Sequence, residues 1–266
     1  MYRRKSTPSW ILRFTGVLWI KISRLVDSQR IPVAIEVNPG SGCMAWAFAF
    51  AFASGQGRSQ ETALDDLRAG VGFAAAWMQT NGLKWDFDGG SLETNPESQF
   101  EVVERVESDG ELAVGDTTGL FDWDKHALSS TDLDKIGRFL QASRGALLES
   151  AAAAPEGIEG VAETLRHVAQ AEWWYASRIP GSPADRLAPD ASQDPLALLD
   201  ECRSMLLENP DQRRCFLEMN DVYECDGELW TPRKVFRRAL WHELYHLKQL
   251  MRLGHERAYD SRASAG

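Results

Sequence analysis

His242 and His246 stand four residues apart in the run R-K-V-F-R-R-A-L-W-H-E-L-Y-H-L-K-Q-L-M-R-L, residues 233–253. On a helix that spacing puts two imidazoles one turn apart on one face, where a single metal ion can take both. Val235, Ala239, Leu250 and Leu253 continue the same stripe, so both rings are expected on a buried seam. Two buried imidazoles without partners would be costly, which favours a shared ligand. The string His242-Glu243-Leu244-Tyr245-His246 also matches H-E-x-x-H, the zinc-protease helix. Its metzincin continuation would need glycine at 249 and histidine at 252, where Gln249 and Arg252 stand.

A third ligand is available upstream. His167, in T-L-R-H-V-A-Q-A-E-W-W-Y-A-S-R, sits at the edge of an apolar stripe with Ala171 and Trp174. Three histidines from two helices would form a neutral facial site with open positions, suited to Zn, Ni or Fe(II). Glu243 lies about 100° round the helix from His242 and is expected to support the site or face solvent rather than act as general base. Glu172 is expected to orient a ligand or to pair with an arginine. Trp173, Trp174 and Tyr175 read as core, with a substrate platform as the second reading, and His126 and His255 as surface. The pairs Arg213-Arg214 and Arg237-Arg238 read as solvated or ion-paired, with contact to an anionic thiol cofactor as the second reading.

Helices must hold these residues. Ser129 is an N-cap signal before Leu133, Ile136, Leu140 and Leu147, a helix ending near Pro155. A second helix is expected over about Gly157 to Arg178 and a third over about Pro195 to Glu208, stopped by Asn209-Pro210. A long connection, Asp211 to Trp230, leads to a fourth. Thr231 caps that helix, Pro232 opens it and Gly254 closes it. The pattern predicts a four-helix bundle over residues 123–255 and a tail over 256–266.

Residues 31–122 read differently. Ile31 to Val37 predicts a strand, Gly40–Gly42 a hairpin turn, and Met44 to Ala53 a second strand with Trp46, Phe48, Phe50 and Phe52 on one face. Ser59 caps a helix over Thr62 to Met78, and Phe100 to Val106 suggests another strand. An apolar edge over Trp46–Phe52 could drive a homodimer.

The whole chain has 266 residues and a net charge of −10, unevenly spread. Residues 1–30 carry +6, residues 31–122 carry −11 and the remainder −5. An acidic body repels phosphate, so no nucleic-acid partner is expected. The basic head could form an amphipathic helix, but its longest uncharged run, Phe14 to Ile20, is far too short to span a bilayer. Membrane-surface contact by residues 1–30 is not the favoured reading. Four scattered cysteines without a C-x-x-C pair point to reduced thiols in a cytoplasm.

Two resemblances follow. Gly42–Cys43, Ser54, Gly55, Gly57, Ser59, Glu61, Ala63, Leu64 and Leu67 resemble the strand–helix core of the HicB-like antitoxin fold. That family's C-terminal DNA-binding element is not seen here. Leu165, His167 and Glu172, then His242 and His246, with the run Trp230 to Glu243, resemble the DinB-like (YfiT-type) superfamily of metal-binding four-helix bundles. Together they imply an α+β two-domain chain, a small HicB-like domain before a DinB-like bundle. The second implies His167, His242 and His246 as metal ligands and a low-molecular-weight thiol as cofactor. The expected function is a metal-dependent transferase using that thiol, or a metal-dependent hydrolase, acting on a small-molecule substrate. A non-catalytic regulator binding a protein through the HicB-like domain is the alternative, and a zinc protease the more distant one.

Overall fold

Strand β1 (Ile31–Asn38) turns back on β2 (Gly42–Ala47) through the expected hairpin, where the Ser41 amide donates to the Asn38 carbonyl at 3.0 Å. Strand β3 (Ala53–Gly57) runs antiparallel to β2, and β4 (Phe100–Glu107) parallel to β1. The sheet order is β3-β2-β1-β4. These strands belong to a computed structural model that describes residues 30–87, 99–154 and 160–263, with side chains as far as Leu253. The basic segment before Arg30, the expected helix start at Gly157 and the His255 side chain lie outside the described residues.

Alternate residues of β1 and β2 go to opposite faces. Val33, Ile35, Cys43, Ala45 and Ala47 meet helix α1 (Gln60–Thr80) at Ala63, Leu67 and Val71. Ala34, Met44 and Trp46 enter a second core on the other face. Two covered faces explain why the strands read as near-continuous apolar runs. Ser59 caps α1 as expected, with the Thr62 amide donating to its hydroxyl at 3.3 Å. A Cβ on Gly55 would overlap the α1 backbone at Ala63 and Leu67, so glycine there lets helix and strand touch.

The run Met44–Ala53 is not one strand. β2 stops at Ala47, and residues 48–52 turn, with Ala51 and Phe52 at φ 50° and 60°. Such backbone costs on the order of 1–3 kcal/mol per residue. The reversal offsets it by burying Phe52 against Trp85 and Trp123, ring centroids 4.8 and 4.9 Å away. Phe50 falls on the α1 side instead, so the four aromatics do not share a face. β2 also lies between β1 and β3, so the apolar edge expected to drive a homodimer is already paired within the sheet.

The remaining chain is mainly helical. Helices α2 (Ser130–Ala153), α3 (Val161–Ser177), α5 (Pro195–Leu207) and α7 (Pro232–Ala263) are the long ones, with α2 packed on α7 and α3 on both α5 and α7. The short α4 (Pro183–Arg186) follows α3. The expected connection 211–230 is structured: it holds α6 (Pro210–Glu218) and a hairpin of β5 (Tyr223–Cys225) and β6 (Glu228–Trp230). Asn209-Pro210 ends one helix and caps the next, its Asn209 side chain accepting from the Asp211 and Gln212 amides. The hairpin turns at Asp226-Gly227, both at positive φ. Helix α7 passes through Gly254 to Ala263 rather than ending there, and Leu253 is 39% exposed rather than inward.

One apolar cluster joins the two parts of the chain. It runs from Trp46, Phe52 and Trp77 through Phe121 to Leu140, Val168, Trp230 and Leu250. Arg237 reinforces the junction: it grips the Asp124 carboxylate with two N–H groups at 2.8 Å and donates across it to the Gly119 carbonyl. Among the described residues no helix is long and apolar enough to cross a membrane.

Candidate metal centre

Helix α7 is set in place at its first turn. Thr231 accepts from the Lys234 amide at 3.1 Å and donates to the Asp124 carbonyl at 2.7 Å, tying the helix start to the preceding loop. Farther along, the Trp241 indole donates to Ser54 on β3 at 2.7 Å and lies 5.4 Å from the Trp46 ring. The sheet therefore fixes the helix one residue before His242. Helix α3 lies alongside and is pinned by the Trp173 indole, which donates to the carbonyls of Ala184 and Leu187.

The three histidines converge. The Nε2 atoms of His242 and His167 are 3.0 Å apart, and those of His242 and His246 3.2 Å. One ligand atom from each lies within 4.8 Å of the others. His242 is buried, His246 half-buried and His167 exposed, so the group opens to solvent on the α3 side. Around an ion with metal–nitrogen bonds of about 2.0–2.1 Å, adjacent donors sit roughly 3.0–3.4 Å apart. The 3.0 and 3.2 Å separations fall in that interval. Three nitrogens this close cannot all satisfy one another with N–H donors, whereas a cation between them takes all three lone pairs.

No family model, curated protein or solved structure matches the chain. The chemistry of the site therefore rests on its own atoms. Burial holds all three imidazoles below the usual histidine range. His246 is lowered to about 4, by burial and then by the charge of His167, against the opposing hydrogen bond of Gln249. His242 is lowered well below the usual range, by burial, by its two histidine neighbours and by Arg238. At neutral pH the rings are uncharged and their lone pairs free to bind. In the metal-free protein a histidine of depressed pKa contributes stability above its unfolded value near 6.5. That contribution is lost as pH falls toward the folded value. Metal-free protein should thus lose stability between pH 6.5 and 4, on the order of 3 kcal/mol from His246 alone. Urea titrations at several pH values would show it; a flat profile would contradict neutral, desolvated rings.

Gln249, seen in the sequence only as a failed metzincin position, has a role here. Its Oε1 lies 2.7 Å from His246 Nδ1. The contact places the proton on Nδ1 and leaves Nε2 facing the other histidines as acceptor. The spacing from His246, three residues along the same face, could have signalled it. Gln249→Leu should weaken metal binding by about 10- to 100-fold, read by competition with a chelator.

Glu243 and Glu172 belong to another assembly. Glu243 is 1% exposed. It receives Arg144 Nε at 2.5 Å, Arg203 Nη2 at 2.8 Å and the Ser143 hydroxyl. Glu172 receives Arg144 Nη2 at 2.6 Å and Arg203 Nε. Two carboxylates and two guanidiniums close a buried ring linking α2, α3, α5 and α7. Burial pushes the Glu243 carboxyl up, but Arg203, Arg144 and Ser143 reverse this, and it lies below the usual carboxylate range. Both its oxygens are occupied, so a general base of the protease type is not on offer. Glu243, expected to support the site or face solvent, does not face solvent but lies in the core, and Glu172 is the ion-pair partner. Arg237 and Arg238 are buried too, not solvated; Arg213 and Arg214 pair with Asp134 and Asp211 at the surface. Tyr175 is core, Trp173 and Trp174 are partly buried against it, and His126 is exposed.

Proposed function

We propose that the chain is a metal-dependent transferase of the DinB-like kind. His167, His242 and His246 would hold one Zn, Ni or Fe ion, and a low-molecular-weight thiol would react there with a small-molecule electrophile. The observation that carries this reading is the convergence of three Nε2 atoms with an open, solvent-facing side. Three protein ligands leave coordination positions free, as catalytic rather than structural sites do. When bound by neutral ligands, a divalent ion keeps its full charge and lowers the pKa of a thiol or water beside it. The protein's own part is to hold the imidazoles neutral, to fix the His246 tautomer through Gln249, and to wall the inner side with Tyr175 and Trp241. In this reading the HicB-like sheet with α1 supports α7 through Ser54 and Trp46.

The test is to load the protein with Co(II) and titrate a small thiol such as 2-mercaptoethanol. A thiolate-to-metal charge-transfer band, at about one ion per chain, supports the reading. Metal bound without any thiol band favours the hydrolytic branch. Absence of metal uptake removes both.

A further inference from the structure

One groove of the described surface lies away from the histidines. It has a volume of about 320 Å³, between α1, α2 and α7, and is lined by Phe73, Trp77, Ala142, Ala146, Leu247 and Met251. Leu247 and Met251 stand roughly 140–180° round α7 from His242, so groove and histidines use opposite sides of one helix. Trp77 and Leu247 are buried and the other four half-buried, which makes an apolar face with open space over it. Glu149 also lines it, exposed and without an ion-pair partner among the described residues.

The described chain enters the sheet close to this groove. Strands β1 and β3 run in the same direction on either side of β2, with Ala34 level with Ser54 through Trp46. Helix α1 runs the other way, passing Gly57 at Thr62, Gly55 at Ala63 and Leu67, and Ser54 at Gly70. Ile31 lies three residues before Ala34, about 10 Å along the strand. Trp77 lies seven residues beyond Gly70, about 10 Å along the helix. Ile31 and Trp77 are therefore level with each other at the same end of the sheet. Arg68 on α1 reaches sideways, its guanidinium 5.0 Å from the ring of Phe100, the strand partner of Ile31. The remaining gap, two strand spacings and one layer, is roughly 15 Å. A segment of 29 residues spans more than that even when wholly helical, at about 1.5 Å per residue.

Residues 1–29 have the chemistry for the groove. Eleven of the seventeen residues from Trp10 to Val26 are apolar, and the segment carries six Lys/Arg against one acid, Asp27. At helical spacing Ile11, Leu18, Ile22 and Leu25 share one face, opposite Arg13, Lys21 and Arg24. The rest of the chain is acidic, −11 over residues 31–122 and −5 beyond, with Glu149 at the groove itself. We infer that residues 1–29 dock on their own chain, with Ile11, Leu18, Ile22 and Leu25 against the groove of α1, α2 and α7 and a basic side chain reaching Glu149. Continuity with Arg30 sets an effective concentration of about millimolar, so a groove too small to hold a separate protein suffices. Docking there needs no ion in the histidine centre.

Trypsin tests it on the full-length protein, through cleavage after Arg13, Lys21 and Arg24, with a synthetic peptide of residues 1–29 as the undocked reference. Cleavage follows the fraction of the segment released, so it should run at least about tenfold slower than in the peptide. Gly145→Trp fills the groove from α2, where an added Cβ meets nothing within 4 Å. It should bring the rate to within about twofold of the peptide. Glu149→Lys, at an exposed position, should raise the rate about threefold or more. Equal rates in wild type and peptide overturn the inference, as does slow cleavage that both variants leave unchanged. Protection that grows with protein concentration overturns docking on the same chain and assigns the groove to the segment of a second copy. If Gly145→Trp does not fold, Ile11→Asn with Leu18→Asn decides instead, and cleavage that stays slow in it overturns the docking.

Discussion

Glu243→Ala should destabilise the protein by about 3–5 kcal/mol, among the largest effects available to a single substitution. The carboxylate is one of four charged groups in a closed ring inside the helices, with side-chain exposures of 1–11%. Removing it leaves Arg144 and Arg203 each short of a counter-charge where water does not reach. It also takes the carboxylate from the Ser143 hydroxyl, which keeps the Leu140 carbonyl at 3.0 Å, and opens a small void. Glu243→Gln keeps the shape and the Ser143 contact but loses the charge, and is expected to fall between wild type and alanine. Urea denaturation at pH 7 measures both. A loss below about 1 kcal/mol for alanine would mean that solvent replaces the carboxylate. The same variants bear on the protease question, because they should act through stability, with turnover by the remaining folded protein retained.

His242→Ala should remove stoichiometric metal binding, taking a wild-type content of about one ion per chain to below about a tenth. His242 is the ligand to choose because its Nε2 is the atom close to both others. Without it, His167 and His246 offer two donors from two helices, a poor chelate. Metal-free stability should change little, since the lost imidazole is crowded by two like groups, and among the described residues its hydrogen-bond contacts are with them. Elemental analysis with a denaturation curve separates the outcomes. Full metal content in the folded variant would place the ion elsewhere.

The seam of α7 was legible because one period, 3.6, governs both burial and ligand spacing. Val235, Ala239, His242, His246 and Leu250 obey it together. Caps were legible for a local reason: Ser59, Ser129 and Thr231 accept from amides three residues on, so sequence and structure carry the same information. Long-range events were not. Nothing local marks Ala47 as the end of β2, because alternation continues to Ala53. The chain turns there to bury Phe52 on residues 33 and 71 positions away. Glu243 and Arg238 looked like ordinary helix-face charges, and their burial depends on partners brought in by α2, α5 and the β5–β6 hairpin. The Asp226-Gly227 pair did carry a local hairpin signal, obscured by the brevity of its two strands.

Trp241 has consequences for anyone who would cut this chain in two. A fragment beginning near residue 123 would keep all three histidines. It would also bare the indole that Ser54 and Trp46 now cover, together with the faces of α2 and α7 that meet Trp77 and Phe121. Such a fragment would be sticky before it was informative. Its failure to bind metal would report on lost walls rather than on absent ligands. Heat should likewise melt sheet and helices in one calorimetric peak, because the interface between them is made of the same interior as each.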